Sequence, residues 1–138
     1  MKWPSLIQSV LGVSGGVALV IGGAILLAPV SFYQSYQIVL PDSVELRSEL
    51  RATATLLLLA AMVILAGALS AAHRTRALWV AIGFYGAFVF GRLISALFDG
   101  APSSALTAAW AVELGLLTLN LMGVMAARRA ATTPQPRT

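Results

Sequence analysis

The sequence contains no cysteine, which excludes disulfide bonds and thiolate metal ligands. Its single histidine, His73, lies in a short basic loop at 71–76, where a solvated residue is expected rather than a ligand. The P-loop, dinucleotide-binding and HExxH zinc motifs are also missing. We therefore expect no cofactor, no metal site and no Ser-His-Asp triad, and the sequence favours a protein that is not an enzyme.

Charged residues are scarce as well. Asp, Glu, Lys and Arg make up 10% of the 138 residues and 59% are hydrophobic, whereas a soluble domain has about 25% charged and about 45–50% apolar residues. A chain of this length cannot bury such an excess in one core, so membrane lipids are the expected surroundings. The net charge is +4, but the basic residues flank apolar runs, so nucleic acid is not an expected partner.

Four apolar runs are long enough to cross a membrane, because about 20 helical residues span a hydrocarbon core of about 30 Å. They predict an all-α, integral membrane, antiparallel four-helix bundle in one domain, 1–127, followed by a basic and disordered tail, 128–138. A cleaved signal peptide is the alternative for the first run, but its apolar part should have only about 7–15 residues. The predicted spans are 6–28, 50–70, 77–98 and 104–127.

Aromatic residues cluster just after the first span, at Phe32, Tyr33 and Tyr36. Their spacing of three and four residues predicts one face of a short helix, and such rings suit the headgroup level of a membrane. We expect a short interfacial segment there. Beyond it, either Asp42 or Ser43 is a candidate N-cap for the second long helix.

Glycines mark possible helix contacts. Gly12 and Gly16 form a GxxxG pair in the first helix, and Gly83 and Gly86 lie in the third. Small residues allow membrane helices to approach closely, although glycine is also generally common in such helices. We expect these four glycines at packing faces, with the first helix as the preferred contact for a second copy or for a larger membrane protein.

The charges outside the spans predict the orientation. Cytoplasmic loops of membrane proteins carry an excess of Lys and Arg. One side of the bundle holds only basic residues, so both termini are expected in the cytoplasm. That side has Lys2, Arg74, Arg76, Arg128, Arg129 and Arg137. The other side has Asp42, Glu45, Arg47, Glu49, Arg51 and Asp99.

Two ionisable residues stand inside otherwise apolar spans, Arg92 in the third and Glu113 in the fourth. Their Cα atoms are expected about 9 Å and about 14 Å below the outer ends of their helices. Helical side chains lean toward the N-terminus of their own helix, so in antiparallel neighbours these two lean toward each other. The sequence therefore predicts an ion pair beneath the outer surface.

Further polar residues are expected near the pair, since helical spacing brings several of them to the same faces. Glu49 and Arg51, at the outer end of the second helix, are two residues apart and cannot both face one partner. The predicted polar cluster comprises Glu49, Arg51, Tyr85, Arg92, Ser95, Asp99, Glu113 and Asn120.

Four roles are open for the pair. The pair is a structural pin that sets helix rotation, or it belongs to a pocket in which Arg92 holds an anionic or polar head group. A proton or ion relay and catalysis are less favoured, because no chain of polar groups crosses the membrane. The leading interpretation is thus a non-enzymatic accessory or interaction protein. The alternative is a small binding or transport module for a lipid-like or small polar ligand.

Short motifs run through this part of the chain: ELRA at 49–52, GR followed by a serine at 91–95, DGxPS at 99–103 and EL at 113–114. In these motifs the chain resembles a family of small bacterial membrane proteins catalogued as domain of unknown function 4345. The resemblance covers roughly 12–127. It implies a four-helix integral membrane protein and brings no activity, substrate or cofactor. We expect the protein in the bacterial inner membrane.

Overall fold

The protein is a bundle of four long helices. The computed structural model describes the backbone of residues 3–132 and the side chains of residues 5–129. The described residues are 88% helical and contain no strand. The all-α prediction is confirmed. The helices are α1 (Trp3–Leu27), α2 (Pro29–Ser35), α3 (Val44–Leu69), α4 (Arg74–Phe98) and α5 (Ser104–Thr132), with a 3-10 turn at Ala71–His73 before α4.

Four of these helices, α1, α3, α4 and α5, are long and apolar enough to cross a membrane. They carry large apolar side chains on their outer faces, among them Val20 on α1, Leu56 on α3 and Leu97 on α4, each about two-thirds exposed or more. Apolar surface of this extent is unfavourable in water and favourable in lipid. The predicted multi-pass architecture is confirmed.

Helices α3 and α5 are longer than the apolar runs that predict them. α3 begins at Val44 because Ser43 caps it: the Ser43 hydroxyl accepts a hydrogen bond from the backbone N–H of Leu46 at 3.1 Å. α5 continues to Thr132, through part of the predicted tail. Arginine is a good helix former and its charge is favourable near a helix C-terminus. An apolar run marks the part of a helix that suits lipid and not the ends of the helix itself.

The rest of the predicted tail, 133–138, lies outside the described residues, as does Lys2 at the other end of the chain. On the side of the termini, the prediction of orientation from charge therefore rests on four basic residues that the structure describes. These are Arg74, Arg76, Arg128 and Arg129.

Each long helix packs against its neighbours in sequence, and α1 also contacts α5, so the four form a closed ring. The contacts between α1 and α3 show that they are antiparallel, because Gly15 lies against Leu65 and Gly22 lies against Leu58. α1 packs mainly on α3, and α4 mainly on α5. The predicted antiparallel four-helix bundle is confirmed.

The interior has two buried apolar clusters at different levels. The larger one fills the half of the bundle near the termini, with Leu11, Ile64 and Leu78 among its fully buried side chains. The smaller one, around Ile25 and Leu57, lies in the half near α2. The space between α2, α4 and the smaller cluster is only partly filled, and the candidate functional site lies there.

Among the described glycines, Gly67 of α3 makes the closest approach to another helix. A Cβ atom added there would collide with the Cβ of Ala77 on α4, which no rotamer change can move. The absence of a side chain at Gly67 thus lets α3 and α4 come together just across the 3-10 turn.

The four glycines singled out from the sequence lie elsewhere. A Cβ added at Gly12, Gly16 or Gly83 would meet no atom within 4 Å, and one added at Gly86 would lie at an ordinary 3.8 Å from Leu117. Within the described chain, the first three therefore take no part in close helix packing. Their predicted contact with another chain stays a prediction.

The register of α1 explains this difference. Leu11, Ala18 and Ile25 are buried and recur every seven residues, so they set the face that α1 turns into the bundle. Gly12 and Gly16 are about 100° and about 140° around the helix from Leu11. The GxxxG pair thus faces away from α3, although it matches the general pattern of a packing motif.

We predict that Gly67→Ala lowers stability. Overpacking of a filled contact typically costs about 1–3 kcal/mol, and the added methyl group meets Ala77 directly. The thermal unfolding temperature of the purified protein in mild detergent measures this.

The matched control is Gly83→Ala, in the interior of α4 with open space around its Cβ. Removing a helix glycine there should be neutral or stabilise by roughly 0.5–1 kcal/mol. Equal effects of the two substitutions would contradict the close approach of α3 and α4.

Candidate functional site

Arg92 of α4 and Glu113 of α5 form a two-pronged ion pair. The Arg92 Nε donates to Glu113 Oε2 at 2.6 Å, and Nη2 donates to Oε1 at 2.8 Å. The glutamate side chain is only 11% exposed and the arginine side chain 27%. A guanidinium that binds both oxygens of a carboxylate is among the strongest hydrogen-bonded pairs in proteins. The two side chains meet as their lean toward the helix N-termini predicts.

A cavity of about 620 Å³ opens beside this pair, with walls from all five helices. Its volume lies within the range of about 300–1,000 Å³ that is usual for small-molecule sites. Most of the wall is apolar, and the polar groups include the ion pair. The lining residues that carry a polar group are Tyr33, Tyr36, Thr53, Tyr85, Arg92 and Glu113.

Aromatic rings of α2 cover one end of the cavity. Phe32 packs edge-on against Tyr33, with ring centroids 5.4 Å apart, and against Tyr36 at 5.3 Å. All three rings line the cavity. α2 turns back onto the bundle because the helical conformation is interrupted at Ala28, between the end of α1 and the buried Pro29. The rings that the sequence predicts at the headgroup level thus also face inward, toward the ion pair.

Tyr33 keeps its hydroxyl proton in this position. Burial raises the pKa of Tyr33 above its ordinary value, and the nearby charge of Arg92 opposes this only in part. The neutral hydroxyl can donate one hydrogen bond and accept others. It therefore adds an uncharged polar group to the end of the cavity that holds the ion pair.

A second polar group lies deeper, where α1, α4 and α5 meet. The hydroxyl of Tyr85 donates to the backbone carbonyl of Ser14. The Nδ2 of Asn120 donates to Ser14 Oγ and to the carbonyl of Leu116, both at 2.8 Å. Ser14 and Asn120 are fully buried. These bonds tie three helices together about 10 Å along the bundle from Arg92.

Sequence reasoning missed Ser14. Its signal is weak but present, because it lies one turn from both Leu11 and Ala18 on the buried face of α1. A small polar residue on such a face needs a hydrogen-bond partner, and Asn120 supplies one. Asn120, predicted beside the ion pair, instead belongs to this deeper group.

The remaining members of the predicted cluster lie outside the cavity. Ser95 donates to Asp99 at 2.9 Å, four residues along the same helix, and both are exposed. Arg51 donates to the carbonyl of Leu26 at the end of α1, at 3.2 Å. Glu49 lies exposed on α3. Ser95 and Asp99 thus satisfy each other. Of the predicted set, only Arg92, Glu113 and Tyr85 line the cavity.

Metal binding finds no support in the geometry. Across residues 3–132, no group of three or more His, Asp or Glu side chains is placed to hold an ion.

The cavity beside the ion pair is suited to holding a molecule that is apolar along most of its length and polar at one end.

A family described as domain of unknown function (DUF4345) matches residues 6–124, which is most of the chain. The chain belongs to this family. No curated protein and no solved structure matches it. The part matched to DUF4345 includes every residue that lines the cavity, from Val17 to Glu113. The cavity of this DUF4345 protein is thus built by the family domain itself and not by an appended segment.

We predict that Arg92→Ala destabilises the protein more than the double change Arg92→Met with Glu113→Leu. The single change leaves a buried carboxylate without its cation, which typically costs about 3–5 kcal/mol, whereas apolar replacement of both partners is often nearly neutral. Thermal unfolding in mild detergent ranks the stability of the single and double variants.

Arg47→Ala is the control, because Arg47 pairs with the exposed carboxylate of Asp42 and exposed pairs contribute little. It should leave the unfolding temperature almost unchanged. If the double variant were the least stable of the three, Arg92 and Glu113 would not depend on each other.

Proposed function

We propose that this chain is a small multi-pass protein of the bacterial inner membrane that binds an amphiphile in the cavity beside Arg92 and Glu113. An amphiphile here is a molecule with an apolar chain and one polar head. The observation that carries the proposal is the cavity of about 620 Å³ next to the ion pair.

The distribution of polar groups supports an amphiphile. Val17, Ile21 and Leu57 form apolar wall on α1 and α3, while Arg92 of α4 and Tyr33 of α2 supply polar groups that lie close enough to interact electrostatically. A ligand that is polar throughout would leave hydrogen-bonding groups unpaired against the apolar wall, which is costly. A purely apolar ligand would leave the polar end unused.

The charges outside the helices support an orientation. Arg74 and Arg76 lie at the start of α4, at the end of the bundle that holds the termini, and Asp42 and Asp99 lie at the other end. By the excess of basic residues in cytoplasmic loops, both termini face the cytoplasm. The polar end of the cavity then lies toward the outer leaflet, so the ligand enters from that leaflet or from the outer aqueous side.

An accessory or interaction protein is the second candidate. It is favoured by the open surface at Gly12, Gly16 and Gly83, where an added Cβ atom would meet no atom of the described residues within 4 Å. Small residues of this kind let a helix of a second copy or of a larger membrane protein come close. This function and amphiphile binding use different faces of the bundle, so one chain can have both.

We predict that the purified protein binds 1-monolaurin or laurate, two probes with the same acyl chain, as a single adduct in native mass spectrometry. The variant Gly91→Leu should lose this adduct. Gly91 lines the cavity and a Cβ there meets no atom within 4 Å, so the larger side chain can occupy ligand space without disturbing the fold.

Gly83→Leu is the matched control. It adds the same side chain to the same helix at an open position that does not line the cavity. It should bind as the unaltered protein does. If neither probe gives an adduct that depends on Gly91, the cavity does not hold an amphiphile and the interaction function is the better account.

A further inference from the structure

The polar end of the cavity carries no net charge. Among the described residues that line it, Arg92 and Glu113 are the charged ones, and their charges are opposite. Both carboxylate oxygens accept from the guanidinium at 2.6 and 2.8 Å, so the two charges are matched at contact distance. A ligand therefore meets a neutral pair and not a lone cation.

An anionic head group has no good position here. To reach Arg92 fully it would have to separate the pair and leave Glu113, which is buried, without its cation. If the pair stayed together, the anion would lie close to the carboxylate and be repelled by it. A cationic head group meets the same difficulty at Arg92.

An uncharged oxygen-containing head group fits the available donors. Arg92 uses two of its nitrogens on Glu113, and a guanidinium has five N–H donors in all, so further donors stay available at its edge. Tyr33 and Tyr36 also line the cavity, and both lie close enough to Arg92 to interact with it electrostatically. These groups can donate to a hydroxyl or ester carbonyl oxygen while the ion pair stays intact.

We infer that the ligand of this cavity is an uncharged amphiphile, whose head bears hydroxyl or ester oxygens, and that Glu113 excludes fatty-acid-like anions by neutralising Arg92. This inference rests on the proposed function and narrows its ligand class. Glu113 acts here as a specificity-determining residue, since it decides which head groups Arg92 can accept.

The test compares 1-monolaurin with laurate, at mildly alkaline pH where the laurate carboxyl is ionised. Binding of each is measured by native mass spectrometry in one detergent, and the part lost in Gly91→Leu is counted as cavity binding. The unaltered protein should bind monolaurin more tightly than laurate by roughly tenfold or more, the scale of one charge-assisted interaction.

Glu113→Gln provides the second arm, because it removes the negative charge and leaves Arg92 as an unpaired cation. The affinity for laurate relative to the unaltered protein should rise by roughly tenfold or more, and that for monolaurin should change little. A merely structural role of Glu113 would weaken both probes alike. The affinity of each probe is compared between variants in the same detergent, so the partition of that probe into detergent micelles affects all variants equally and cancels.

The outcomes separate the two proposals. Laurate binding as tightly as monolaurin in the unaltered protein would overturn the uncharged ligand and leave amphiphile binding in place. This comparison needs no substitution at Glu113, so it stands even if Glu113→Gln does not fold. Failure of both probes to bind in a Gly91-dependent way would instead overturn amphiphile binding itself.

Discussion

The contact between Arg92 and Glu113 is the constraint on which the half of the bundle near α2 depends. In lipid, water does not solvate an unpaired ion, so each of the two charges is stable only while it is paired with the other. Two parallel hydrogen bonds fix the guanidinium and the carboxylate in one plane. A turn of α4 by one residue would move Arg92 by about 100° and break both bonds. The pair therefore fixes the rotation of α4 against α5, and with it the face on which Phe84 and Phe88 meet the cavity.

A structural pin and a binding site are not opposed in this protein. The same two hydrogen bonds that join α4 to α5 also leave the cavity wall without a net charge. Because the ions are matched, the cavity can carry strongly polar groups and remain neutral. The deeper bonds among Ser14, Tyr85 and Asn120 hold α1, α4 and α5 together.

Much of the architecture could be predicted from the residues. The length of each apolar run indicated the number of long helices, and Ser43, one of two candidate N-caps, indicated where α3 begins. The meeting of Arg92 with Glu113 followed from the lean of helical side chains. The packing glycines were harder: Gly12 and Gly16 match a motif but face away from α3, while Gly67 lies in no motif and makes the closest approach.

What the sequence alone determined is the solvent of this chain and the fold that such a solvent permits, because hydropathy and length are properties of each segment by itself. Only the tertiary structure decided which face of each helix turns inward, since that depends on how all the helices fit together. It also decided that α2 folds back over the ion pair and that a cavity is left beneath its aromatic rings. A cavity depends on the positions of residues from several helices, so no local pattern in the sequence predicts it.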